Sequence, residues 1–183
     1  MSYPDFVSGD VLNASDMNAV GMWLVKSSTF TTASTCPMES VFSSNYQNYR
    51  VLISLAGSAS SSHNLVFYTG TNTEYTSATY NRYGFYLSTG GVFTNFFAGT
   101  LTSAFVNNHS ATVANKSTNE ITIFSPNTTA SRTNLQSMAQ DALSALALWV
   151  NHIVDTTTAF TGFVIKPVSG TLTGTIQVYG MKS

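Results

Sequence analysis

The sequence predicts an all-β protein: a single antiparallel β-sandwich, jelly-roll-like, preceded by a short N-terminal helix. Three observations carry this prediction. Apolar and polar residues alternate over Tyr49–Leu55 and again over Thr171–Tyr179, the two-residue period of a half-buried strand. Runs of Gly, Ser and Asn interrupt the chain at short intervals, as turns between strands do. Helix grammar, by contrast, is confined to the first twenty-one residues.

In that leader, Asn13 is a good N-cap, because its side-chain oxygen accepts from a free N–H of the first turn. Asp16 stands at the capping-box position, where its charge suits the positive helix end. Leu12 and Met17 take the two positions of a hydrophobic staple, and Gly21 suits a left-handed stop. The helix so defined, Ala14 to Val20, is too short to stand alone, since isolated helices under roughly 12–15 residues are marginal in water. It needs a docking partner. The chain divides accordingly into a leader, 1–21, and a β-sandwich domain, 22–183.

From Met22 the period changes. Met22–Val25 is a first strand candidate, followed by a Ser/Thr-rich connection to Pro37. Val41 and Phe42 precede the polar turn Ser43-Ser44-Asn45, and Tyr49, Val51, Ile53 and Leu55 share one face of the next strand. Ala56–Ser62 is loop chemistry, Leu65–Tyr68 a strand, and Thr69–Thr79 polar again. Tyr83, Phe85 and Leu87 share one face of a strand that turns at Gly90-Gly91 into Val92–Phe97, a hairpin signal. Ser103–Val106 is a weaker candidate; Ile121 and Ile123 lie on a strand ended by Pro126-Asn127. Residues 137–150 mix helical and alternating spacing, and a strand over Leu146–Val154 is favoured. Phe163 and Ile165 continue the pattern, and the last strand puts Leu172, Ile176 and Val178 on one face. That makes eight to ten short strands.

Composition limits the function. With 183 residues the chain can bury a sizeable core without disulfides, and its lone Cys36 forms none; a small half-buried apolar residue is the expected role. Charged residues are only 8%, against about 25% in ordinary domains, so Ser, Thr and Asn must supply solubility. The 43% hydrophobic and 13% aromatic content argues for a packed fold over disorder. Net charge is −1 and the seven Lys and Arg are scattered singly, so nucleic acid is not an expected partner. Neither a Sec-type signal nor a run of the roughly 20 apolar residues of a membrane span is present, so no membrane insertion is expected.

Chemistry is sparse. No Gly-x-Ser-x-Gly elbow and no Gly-rich phosphate loop occurs, and the eight carboxylates form no close pair in sequence. His63, His109 and His152 are widely separated, which makes a metal site weak, and His152 with Asp155 suits a turn or the surface better than a triad. No catalytic residue, metal or cofactor is expected; a polysaccharide depolymerase is a less favoured reading, and a free-standing carbohydrate-binding module is less favoured still. The positive signal is aromatic. Tyr75, Tyr80, Tyr83, Phe85, Tyr86, Phe93, Phe96 and Phe97 crowd together with Asn72, Asn81, Arg82 and Asn95. Flat apolar rings beside amide and guanidinium groups suit glycan recognition, with Tyr75, Tyr80, Arg82 and Tyr86 the candidates. The same residues also fit a simpler arrangement, in which alternate members fill the core and the others a subunit interface.

The leader segment Phe6-x-x-Gly9-Asp10-Val11-Leu12-Asn13-Ala14-Ser15-Asp16-Met17-Asn18-Ala19 resembles a short segment near the N-termini of bacteriophage tail-fibre and related virion proteins. Phe42–Val51 and Thr171–Gly180 resemble the flanks of β-rich structural proteins of tailed phages. The resemblance implies a non-enzymatic virion surface subunit, a short fibre or knob, whose loops recognise host-surface glycans. A capsid decoration protein is the alternative, since no repeat or coiled-coil shaft is visible. It implies attachment to other virion proteins through the leader, with Phe6, Val11, Leu12, Asn13, Asp16, Met17 and Val20 the expected anchoring residues. Assembly in the host cytoplasm would need no export signal. Low charge and many aromatics fit self-association, with a homotrimer expected.

Overall fold

In the computed structural model, which describes residues 21–88, 90–111, 116–140 and 147–181, every regular element is a β-strand. In chain order these are β1 (Met22–Ala33), β2 (Cys36–Met38), β3 (Asn48–Gly57), β4 (Ser61–Gly70), β5 (Thr73–Glu74), β6 (Tyr80–Leu87) and β7 (Phe93–Leu101). There follow β8 (Ala104–His109), β9 (Ser117–Phe124), β10 (Thr133–Gln140), β11 (Ala147–Val154), β12 (Gly162–Pro167) and β13 (Leu172–Met181). The expected helix and the seven expected anchoring residues lie outside the described residues.

Two antiparallel sheets face each other. The larger has eight strands in the order β1-β13-β3-β9-β10-β11-β6-β7; the smaller runs β2-β12-β4-β5, with β8 also paired to β4. The sequence placed turns correctly at most boundaries, yet the strands number thirteen among the described residues, above the eight to ten expected. The core lies between the sheets. Val51, Ile53 and Leu55 of β3, Ile121 and Ile123 of β9 and Ile176 and Val178 of β13 all come from the larger sheet. They meet Leu65 and Phe67 of β4 and Phe163 and Ile165 of β12. Phe67 is its aromatic centre, stacked on Phe160 at 4.5 Å and facing Phe42 at 6.0 Å.

The last strand is central to the larger sheet. β13 lies between β1 and β3, paired Met22↔Met181 on one side and Leu172↔Gly57 on the other. Gly174 permits this close approach: its φ is +146°, and a Cβ there would stand 2.0 Å from the Ser54 carbonyl oxygen.

Four local expectations need correction. The Ser/Thr-rich stretch after Val25 is not a connection but the second half of β1, since Thr suits a half-exposed pleated strand. Ala56–Gly57 and Ser61–Ser62 are strand ends, which leaves only Ser58–Ser60 as loop. Cys36 is fully buried on β2 rather than half-buried. His152 is neither in a turn nor at the surface; it is buried on the inner face of β11.

Candidate functional site

Which way β6 faces is decided by Tyr80. Its ring is 0% exposed, between the sheets, and its hydroxyl accepts from the Phe67 N–H at 3.1 Å and donates to the Tyr75 carbonyl at 3.2 Å. Side chains alternate along a strand, so Arg82, Gly84 and Tyr86 turn inward with Tyr80, while Tyr83, Phe85 and Leu87 turn outward. Register agrees: Leu148, Val150, His152 and Val154, the buried positions of β11, pair with Tyr86, Gly84, Arg82 and Tyr80.

The expected glycan set is therefore divided by the fold. Tyr80 is core and cannot touch a ligand, a correction to its candidacy. Tyr75 is half-buried against the core, 5.3 Å from Phe160. Arg82 is inward, its guanidinium 5.0 Å from the Phe96 ring centre and 5.4 Å from that of Phe105. Burial lowers its pKa from the usual arginine value. Tyr86 leans on Phe96 at 6.3 Å on the same inner side. These four residues do not form one exposed surface.

The other phase of the hairpin does. Trp149 pairs with Phe85, and the two rings meet edge to face at 5.1 Å with 79° between planes. Phe85 in turn stacks on Phe93 at 4.7 Å, and Tyr83 lies 5.1 Å from Phe97 on the directly opposite position of β7. One register row runs Gln177–Leu52–Glu120–Met138–Trp149–Phe85–Asn95 across seven strands. Phe97 is 67% exposed, Met138 62% and Phe93 59%. Half of the twelve large apolar residues exposed among the described ones lie on the outward face of β10, β11, β6 and β7. A patch of this kind marks an interaction site. No Asp, Glu, Lys, Arg or His stands on that face among the described residues.

Beside the ridge of rings the same sheet dips. A trough of about 740 Å³ is lined by Leu52, Ser54, Thr118, Glu120, Met138 and Ala147, with no aromatic ring in its lining. Glu120 is ion-paired with Arg50. A separate polar hollow of about 310 Å³ lies among the loops, between Asn45, Tyr46 and Gln47 on one side and Ser125, Asn127 and Thr128 on the other.

The interior holds polar groups that sequence reasoning missed. His63 and His109, far apart in the chain, are both buried and in contact. Asn107 donates to the Asn119 carbonyl oxygen at 2.7 Å and to the Gln140 carbonyl at 3.0 Å, and Asn119 donates to the Val106 carbonyl. His152 Nε2 lies 2.9 Å from the Phe105 carbonyl. These interactions satisfy the asparagine amides and one nitrogen of His152, but His63 Nε2 and His152 Nδ1 are buried without a hydrogen-bond partner; no cluster of three or more His, Cys, Asp or Glu fit to hold a metal exists among the described residues. Only the pairing of strands β4 and β8 could have revealed the histidine contact, and the sequence carries no short-range signal for it.

Compared with known proteins, the chain matches no family model and no curated protein. No helix among the described residues is long and apolar enough to cross a membrane.

Proposed function

We propose that the chain is a non-enzymatic surface subunit of a bacteriophage virion, a jelly-roll-like short fibre or knob. In this reading the leader attaches it to other virion proteins, and the outward aromatic face of β11, β6 and β7 is buried in assembly. The observation that carries the assembly part is that face, exposed, aromatic and without charge. Such a surface is costly on an isolated domain and useful only when covered. The virion part rests on the resemblance of the leader and the two flanks. The geometry adds one consistent feature: Met22, where the leader enters, begins the edge strand β1, seven strand spacings from β7. That separation is about 34 Å, enough for attachment and packing to proceed without competing.

A decoration subunit on the head is the alternative location. Imaging and adsorption assays of particles lacking the subunit separate the two. Intact particles that fail to adsorb are the expected result; fragile heads with normal adsorption would move the subunit to the capsid, and unchanged particles would sink the proposal.

Glycan recognition keeps one supporting observation, and it lies away from the aromatic face. Tyr46 stands in the polar loop hollow with Asn45, Gln47 and Thr128, a ring beside amides and a hydroxyl. Loss of host-glycan binding in Tyr46→Ala, with the folded circular dichroism spectrum retained, is the expected result, although the ring also packs on the core; full binding by the variant would remove this role.

A further inference from the structure

We propose that a second copy of this chain covers the outward face of β10, β11, β6 and β7, in a face-to-face pair related by a two-fold axis. The inference deepens the assembly reading above and rests on its claim that a protein buries this face.

Charge is the first argument. A two-fold contact presses a patch against its own duplicate, so an ionised group on or near the axis meets its like. The outward residues of these four strands include none. Glu120, which lines the trough, already carries its counter-ion in Arg50. A foreign protein partner would place no such restriction on the face.

Shape is the second. Ridge and trough lie on one sheet face, the rings of Phe85, Phe93 and Trp149 at one end and Ser54, Thr118 and Ala147 at the other. Rotation by 180° about an axis between them sets the ridge of each copy over the trough of the other. In such an isologous contact residue i meets j while j meets i, and one surface supplies both halves.

The edge beside the face is the third. β7 is the outermost strand of the larger sheet, and Phe93–Leu101 carries no charged residue and no proline. Sheet edges in isolated domains are usually blunted by such residues or by bulges. Register irregularities occur in the pairing of both edge strands of this sheet, but the opposite edge, β1, carries Lys26. Of the larger sheet's two edges, only the one next to the aromatic face lacks charge.

Area agrees. Four strands of about eight residues at about 4.8 Å spacing present a footprint of about 500 Å². Two copies then bury about 1,000 Å², the level at which specific interfaces begin, and the trough adds to it.

Ring orientation argues against a sugar in the same place. Phe85 and Phe93 shade one another with 27° between planes, and Trp149 stands 79° from Phe85. The cluster offers edges and one-sided rings, not a flat platform for a pyranose.

Sedimentation equilibrium of the full chain at micromolar concentration tests the pairing. The expected mass is twice 19.6 kDa. The double variant Phe93→Ser/Phe97→Ser should sediment as a monomer with an unchanged circular dichroism spectrum and a cooperative urea transition, because both rings are mostly exposed on the single chain. Orientation is read by mixing Phe93→Cys with Ser54→Cys chains and adding a short thiol cross-linker; the mixture should cross-link more than either variant alone. A monomeric wild type at tens of micromolar, an exclusively trimeric one, or a pair that survives the double variant would overturn the proposal. So would cross-linking confined to a single variant, or a glycan array bound by a monomeric chain through Phe93 and Phe97. A monomer that still incorporates into particles sinks the pairing alone, whereas a pair that never incorporates sinks the virion reading alone.

Discussion

His63 and His109, 46 positions apart in the chain, face each other Nδ1 to Nδ1 at 3.3 Å inside the sandwich. One nitrogen must carry the proton and the other accept it, so the contact requires the accepting ring to be neutral. Burial, and then the charge of His109, lowers the His63 pKa from 6.5 to about 3. Burial lowers that of His109 as well, and that of His152 to about 4.

The sign of the resulting pH dependence follows. The unfolded chain takes up these protons near pH 6.5 and the folded chain refuses them until far lower. Stability from this source is complete above 6.5 and falls as the pH drops towards 4 for His152 and 3 for His63. Each histidine held neutral contributes a loss of up to about 1.4 kcal/mol per pH unit in that window. Urea midpoints measured from pH 7.5 to 4.5 should decline, and His152→Gln should decline less steeply. A flat profile for the wild type rules this out.

Tyr80→Phe should destabilise the fold by about 1–3 kcal/mol, because the variant leaves the buried Phe67 N–H and the Tyr75 carbonyl without the hydroxyl that joins them. Its oligomeric state should not change, since the ring is core. An unchanged urea midpoint would show that the hydroxyl contributes nothing.

Cys36 should be silent in the native protein. Burial pushes its thiol up to about 12, and none of its surface is exposed. The thiolate is the reacting species, so an aromatic disulfide reagent at pH 8 should label it only in urea. Prompt labelling without denaturant would contradict the burial.

On the proposed virion reading, removing residues 1–21 should leave a folded β-domain that no longer joins the particle. Normal incorporation of the shortened chain would refute the anchoring role.

Much of the fold was legible because its central strands obey the two-residue period. β13 shows Leu172, Ile176 and Val178 buried on the predicted face, and β3 behaves in the same way. β10 was illegible for an equally plain reason. Its inward row includes Thr133 and Ser137, both buried, while Met138 points to solvent, so apolarity and burial run in opposite phases. The site failed on phase too. The aromatic cluster was found, and the shared face of Tyr83, Phe85 and Leu87 was read from sequence. Which face reached solvent depended on Tyr80, whose partners Phe67 and Tyr75 belong to other segments. A one-residue choice of phase moves every candidate to the other side of a strand.

The position of β13 also sets an order of events. It is the last of the described strands to leave the ribosome, yet it fills the lane between β1 and β3, which were made first. Until Leu172–Met181 emerges, two early strands present open edges to solvent, and no local pairing can close them. Sheets dominated by such distant pairings fold slowly and expose aggregation-prone intermediates. Synthesis interrupted before Leu172 should therefore yield not a smaller stable domain but a chain that depends on chaperones, and slow final translation or low temperature should favour soluble product.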